Sequence, residues 1–166
     1  MKNKLIRLAA LVLAACLMLA GCGGGASSGD AAEPKDYAQI LRDARSDDHN
    51  DAYAIITTPE EDRFGIMEAY GLDPEAMEQY AVSISIMNTQ AYGVMIIKPK
   101  AGQEETIKTA MQDFIQRQTD SFELYLEDQY QIAQDAKLET MPSGELVLVM
   151  SEGSSAIMES IKNALK

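Results

Sequence analysis

The chain has 166 residues, 14 Lys and Arg against 26 Asp and Glu, and a net charge of −12. That balance argues against nucleic acid as a partner, because nucleic-acid binding is driven by clustered basic side chains. It argues equally against a polybasic membrane patch.

Lys2, Lys4 and Arg7 form a basic start, and Leu8 to Ala20 is an apolar run without charge. The run is too short to cross roughly 30 Å of hydrocarbon comfortably as a helix. It has the length, flanks and small-residue end of a signal peptide. Leu19-Ala20-Gly21-Cys22 then resembles the lipobox of bacterial lipoproteins. The resemblance implies cleavage between Gly21 and Cys22, a diacylglyceryl group on the Cys22 Sγ, and Cys22 as the mature N-terminus. Two acyl chains hold a protein at a membrane stably where one does not. The expected location is the extracytoplasmic face of the bacterial cell membrane.

Cleavage leaves 145 residues, enough for one domain with one sizeable core. Three of the 14 cations leave with the leader, so 11 face 26 acids and the mature charge is −15. Such a surface is soluble and would favour a cationic ligand or a protein over an anionic polymer. Cys16 lies in the leader and Cys22 carries the lipid, so no thiol remains for a disulfide, a zinc cluster or a nucleophile. Residues 23–34, Gly23-Gly24-Gly25-Ala26-Ser27-Ser28-Gly29-Asp30-Ala31-Ala32-Glu33-Pro34, read as a flexible tether with a coil span of roughly 20 Å. A single domain is expected over residues 35–166.

Tyr37, Ile40, Leu41 and Ala44 fall at helical spacing and predict a helix over 36–46. The polar stretch Ser46 to Asp51 should break it, leaving His49 as a solvated loop imidazole. Ala52 to Thr57 reads as a strand or extended segment. Thr58-Pro59-Glu60-Glu61 is a capping signal that predicts a helix from there to Tyr70, stopped by Gly71. Asp73-Pro74-Glu75 repeats it for a short helix ending by Tyr80.

The period then changes. Val82, Ile84 and Ile86 alternate with Ser83 and Ser85, which predicts a half-buried strand and a turn at Asn88-Thr89-Gln90. Val94-Met95-Ile96-Ile97 is apolar on both faces, as an inner strand should be. From Gln103, a helix places Ile107, Ala110, Met111, Phe114 and Ile115 on one face, with Glu104–Lys108 and Asp113–Arg117 as i,i+4 ion pairs on the other. An irregular helical piece follows from Phe122 toward Tyr130. Ala136 to Thr140 alternates, Pro142-Ser143-Gly144-Glu145 turns, and Leu146 to Met150 is again doubly apolar. Ser154 or Ser155 should cap a last helix with Ile157, Met158, Ile161 and Leu165 inward. The expectation is an α+β domain with a mainly antiparallel four-stranded sheet, in the order strand-strand-helix twice over, with the Val94 and Val147 strands central.

The segments Ala91-Tyr92-Gly93-Val94, Gln118-Thr119-Asp120-Ser121-Phe122, Tyr125-Leu126-Glu127-Asp128-Gln129-Tyr130 and Gly144-Glu145-Leu146-Val147-Leu148-Val149-Met150-Ser151 occur in that order. They resemble the bacterial lipoproteins grouped as domain-of-unknown-function family four-three-five-eight. The resemblance covers the C-terminal half best. It implies a small exported Gram-positive lipoprotein of unassigned activity and carries over no catalytic residue.

Chemistry is sparse elsewhere. His49 is the only histidine, and no G-x-S-x-G elbow occurs. Asp47, His49 and Asp51 alternate like the start of a calcium loop, but Ala52 stands where that loop needs Gly, and Thr58 where it needs Glu. Glu60-Glu61 and Glu104-Glu105 fall in first helical turns, where the helix dipole explains them. Met111, Met150 and Met158 suit core gaps, and Tyr70, Tyr80, Tyr125 and Tyr130 suit packing at domain edges. No catalytic residue, metal or cofactor is expected. The reading is a lipid-anchored, non-catalytic binding or accessory module with an envelope protein or a cationic ligand as partner. The alternative is a cell-envelope hydrolase working through carboxylates alone, which needs two acids of split pKa in one cleft.

Overall fold

The computed structural model describes residues 35–166. Gly21, Cys22, the leader and the tether lie outside the described residues.

Four antiparallel strands form one sheet: β1 (Met77–Ile84), β2 (Gly93–Pro99), β3 (Lys137–Thr140) and β4 (Leu146–Met150), in the order β1-β2-β4-β3. The two doubly apolar strands are central, as their composition requires. Gly93 of β2 pairs with Ile84 on one side and Met150 on the other. The outer edge of β1 is met by Ile56, whose N–H donates to the Val82 carbonyl at 2.7 Å and whose carbonyl accepts from Val82 N–H at 2.9 Å. The extended 52–57 segment thus shields an edge that would otherwise offer open pairing groups.

Strand alternation sends two apolar sets to opposite faces. Val82, Ile84, Met95, Ile97, Leu146 and Leu148 pack beneath α4 (Glu104–Phe122) through Ile107, Met111 and Phe114. Ala81, Val94, Ile96, Val147 and Val149 pack beneath α1 (Tyr37–Ala44) and α6 (Ser154–Ala164) through Leu41, Met158 and Ile161. Helices on both faces explain why Val94–Ile97 of β2 and all of β4 are apolar. Met111, Met150 and Met158 are all core residues.

α1 ends before the polar stretch, as expected, but that stretch is itself helical rather than a loop. Ser46 Oγ accepts from His49 N–H at 3.3 Å and caps α2 (Asp47–Ala52), with Asp47 and Asp48 in its first turn. The stretch 58–70 is not one helix. A 3₁₀ turn covers Pro59–Glu61, and α3 (Ile66–Ala69) starts afresh after Gly65, whose φ of 64° is left-handed. Both Asp62 oxygens accept from backbone amides of α3, from Ile66 and Met67 at 2.8 Å each. The helix expected to end by Tyr80 is only the 3₁₀ turn Pro74–Ala76, because Met77 onward is claimed by pairing with β2.

Other expectations also change. Ser83 is fully buried on the α1/α6 face, and Ile86 lies outside the strand and exposed. Arg117 donates to the Ala69 carbonyl at 2.9 Å, and the ion pairs among the described residues are those of Lys162 with Glu139 and Glu159. The chain turns at residues 123–125 before α5 (Glu127–Gln134). The cap of α6 is Gly153, and Ser154 Oγ instead donates to the Asp135 carbonyl at 3.1 Å.

Candidate functional site

Two features stand beside the end of β1. The first is an apolar groove of about 910 Å³. Just past the end of β1, Ser85 Oγ accepts from Met87 N–H at 3.0 Å in a local turn, and Ile86 and Met87 are exposed there. Phe64 reaches the same groove from the bend just before Gly65. Phe64 is 74% exposed, Ile86 62% and Met87 57%. These three side chains also line a neighbouring trough of about 550 Å³ toward Tyr70 and Phe122. Large apolar side chains clustered in the open mark a contact surface, whereas scattered single ones do not.

The groove's wall is acidic. Glu60, Glu61 and Asp62 line it, with Arg63 as the one cation beside them. Glu61 Oε2 accepts from Thr57 N–H at 2.7 Å, Thr57 Oγ1 at 2.9 Å and Thr58 N–H at 3.2 Å. The Thr57 bonds are the main reason its pKa lies below the ordinary carboxylate value. Asp62 is spent on capping α3. The hydrogen bonds to Glu61 and Asp62 hold both carboxylates in fixed positions on the wall. Among the described carboxyls with displaced pKa, Glu61, Asp128 and Glu145 are all displaced downward.

The second feature is a polar knot between the helices and the sheet. Arg45, only 7% exposed, donates to Ser83 Oγ at 2.7 Å, the Tyr92 hydroxyl at 3.0 Å, the Tyr53 carbonyl at 2.8 Å and Asn50 Oδ1 at 2.7 Å. All four partners are neutral. Tyr53 and Tyr92 stack at 3.8 Å, and the His49 ring tilts against them at 5.7 and 5.1 Å. His49 is therefore no solvated loop imidazole. Burial first and the Arg45 charge second hold its pKa below the ordinary value, against the opposing pull of Asp48 and Glu152. A cavity of about 220 Å³ opens beside this knot, between His49, Tyr92, Gln129, Ser151 and Glu152.

The residues from 56 to 152 match the family described as Domain of unknown function (DUF4358). The chain belongs to that family. No curated protein and no solved structure matches it. The DUF4358 core thus spans the whole sheet, together with α3, α4 and α5, while α1, α2 and α6 lie outside the match. The groove is built inside the core except for residues 52–55. The polar knot straddles the boundary, with Arg45, His49 and Tyr53 before it and Ser83 and Tyr92 within.

Cys22 and Gly21 cannot be placed relative to either feature, because both precede the described residues. Asp47, His49 and Asp51 stand on α2, so the alternation is helical and not a calcium loop. Among the described residues, no group of three His, Cys, Asp or Glu side chains converges on one metal position. The four tyrosines set aside as edge packing do not form one surface. Tyr70 meets Phe114 edge-on at 4.8 Å, Tyr80 is buried, and Tyr125 is 71% exposed. Sequence reasoning missed Phe64 and Ile86 because each sat in a segment assigned to a regular element, and Met87 because it fell between the expected strand and its turn. It missed Arg45, Tyr53 and Tyr92 because nothing local links positions so far apart in the chain.

Proposed function

We propose that this DUF4358 protein is a lipid-anchored extracytoplasmic binding module whose groove takes an apolar segment of a protein partner flanked by Lys or Arg. The observation that carries the reading is the cluster of exposed Phe64, Ile86 and Met87 beside Glu60, Glu61 and Asp62. Apolar anchors in a concave site supply affinity, and the fixed acidic wall selects cationic flanks and repels acidic ones. The lipobox Leu19-Ala20-Gly21-Cys22 supports the anchor. Among the described residues, no helix is long and apolar enough to cross a membrane, so the Cys22 lipid would do the anchoring. A short tether would hold the groove within a few tens of ångströms of the bilayer (~20 Å of coil). That raises the effective concentration of the groove for membrane-bound partners.

The test compares two amphipathic peptides of equal apolar content, one flanked by Lys and one by Glu, by fluorescence anisotropy against the full chain. The Lys-flanked peptide should bind, weaken with salt and lose affinity on the Phe64→Ser and Met87→Ser substitutions. Equal binding of both peptides, or binding untouched by those substitutions, would overturn the reading.

A further inference from the structure

The groove lies where a strand pairing stops. Ile56 is joined to Val82 of β1 by two main-chain hydrogen bonds, an isolated antiparallel bridge. Continuing that register by two residues would set Ala54 opposite Ile84, and by four would set Ala52 opposite Ile86. All four of those residues line the groove. Among the described residues, no hydrogen bond joins Ala54 to Ile84. The groove is therefore a wedge between two segments that begin a ladder at Ile56 and Val82 and then part.

The contacts of Tyr53 account for the parting. Arg45 donates to the Tyr53 carbonyl at 2.8 Å, and the Tyr53 ring stacks on Tyr92 at 3.8 Å. Both contacts draw residue 53 toward the α1/α6 face, where its ring packs with that core. The β1 side stays with the sheet, because Ser85 N–H donates to the Tyr92 carbonyl at 3.1 Å. Alternation then fixes the direction of Ile84. Val82 gives its main-chain N–H and carbonyl to Ile56, while Ser85 turns its N–H toward the β2 side. Successive residues of an antiparallel strand bond to opposite sides. The Ile84 N–H and carbonyl therefore face the wedge.

The wedge lies in the plane of the sheet. Ile56, Ile66 and Ile84 belong to the apolar layer under α4, whereas Tyr53 and Ile55 pack with the layer under α1 and α6. All five line the groove. An occupant meets apolar side chains from both layers and a strand edge at its flank. An extended chain fits that arrangement, since its side chains alternate between two faces and its main-chain groups point to the edges. A helix consumes its main-chain groups internally and would leave the Ile84 edge unpaired.

We propose that the partner segment enters this wedge as an extended strand, pairing its main chain with Ile84 and laying alternate side chains against the two apolar layers. The proposal rests on the reading that the groove takes an apolar segment flanked by Lys or Arg. Adding a strand to a sheet edge gives affinity through main-chain bonds and specificity through alternate side-chain sites. Glu60 and Glu61 stand on the wall to meet the basic flank.

Two measurements on the full chain test it. The first is amide exchange followed by NMR. In the free protein, Ile84 N–H should exchange on the order of tenfold faster than Val82 N–H, which is bonded to Ile56. Equal protection of the two would show a closed wedge and overturn the proposal. The second measurement uses a peptide alternating valine and threonine between lysines, with one form N-methylated on the valine amides and one on the threonine amides. The N–H groups along one edge of a strand come from alternate residues. One methylated form should therefore bind like the parent, and the other should lose affinity on the order of tenfold or more. The parent should also slow Ile84 exchange. The proposal is overturned if both methylated forms bind like the parent, if both lose affinity, or if a helical peptide of equal apolar content and the same lysine flanks binds as tightly. In those cases, binding that Phe64→Ser still weakens leaves the groove itself standing as the site. Binding by neither the extended nor the helical peptide overturns both readings.

Discussion

Gly93→Ala is the sharpest mechanical test of the fold. Gly93 opens β2 and belongs to the segment Ala91-Tyr92-Gly93-Val94 that carries much of the family resemblance. A Cβ at this position would stand 2.6 Å from Phe114 Cε1 and 2.7 Å from Cζ. Carbon atoms in contact rest at roughly 3.5–4.0 Å, so about 1 Å must be found. The backbone cannot supply it, because Gly93 is paired on both sides, to Ile84 and to Met150. Phe114 cannot swing away freely, because it is fully buried and meets Tyr70 edge-on at 4.8 Å. Overpacking of this kind costs about 1–3 kcal/mol, and a rigid ring beneath a central strand belongs at the upper end. A loss of roughly 3 kcal/mol lowers Tm by about 10 °C in a domain of this size. Thermal and urea melts followed by circular dichroism read both numbers. Phe114→Leu removes the offending ring edge, so the double variant should be more stable than the sum of the two losses, with a coupling of at least ~1 kcal/mol. A Gly93→Ala protein within ~0.5 kcal/mol of the wild type, or strict additivity in the double variant, would refute the argument.

Three further outcomes are expected. Ile96→Asp and Val149→Asp each place an unpaired charge at a fully buried site and should cost roughly 3–5 kcal/mol or more in urea melts, whereas the half-buried Ser85→Asp, which can still accept from Met87 N–H, should be nearly silent. Equal small effects at all three would contradict the sheet assignment. Cys22→Ser should abolish incorporation of labelled fatty acid and release the protein from membranes; a variant that remains fully membrane-bound would show a second anchor. His49 should titrate below the usual imidazole value of about 6.5, because burial and Arg45 disfavour its charged form. Its folded pKa is the lower one, so its stabilising contribution is complete above about pH 6.5 and is lost as the pH falls through the folded pKa. His49→Gln should remove that part of the pH dependence, and an NMR midpoint at or above 6.5 would contradict it.

The sheet was legible in the sequence because its signals are strong and short in range. Leu146 to Met150 and Val94 to Ile97 are apolar at every position, and only a strand covered on both faces explains that pattern. The long amphipathic helix through Ile107, Met111 and Phe114 is equally plain. What failed depended on contacts across the chain. Met77 to Ala81 follows a helix-start signal, yet its pairing with β2 overrides that local preference. Ser83 has the polarity of a solvent-facing residue, and no local feature announces that Arg45 will reach it from 38 positions away. Capping signals were right about chemistry and wrong about extent. Thr58-Pro59 starts a turn, but left-handed Gly65 divides the segment and Asp62 restarts it. The same interruption leaves Phe64 outside any helix, so the groove came from the part of the chain where the periodic reading broke down.

The polar knot bears on how the family core and its N-terminal preface divide the work. A buried guanidinium without a carboxylate is a costly way to gain stability. Here it spends four hydrogen bonds joining α2 and the 52–57 segment to Ser83 and Tyr92 of the core. That joining fixes the positions of His49 and Tyr53. The cavity takes His49 and Tyr53 from the preface, and Tyr92, Gln129 and Ser151 from the residues matched to DUF4358. Its wall therefore exists only where both parts are present. The preface is accordingly more than packing for the α1/α6 face, since its His49 and Tyr53 complete the aromatic cluster with Tyr92. Replacing α2 in a DUF4358 core would leave the sheet intact and change what the cavity can hold. The preface thus covers one face of the sheet and closes the cavity wall, while the sheet supplies the frame to which Arg45 ties it.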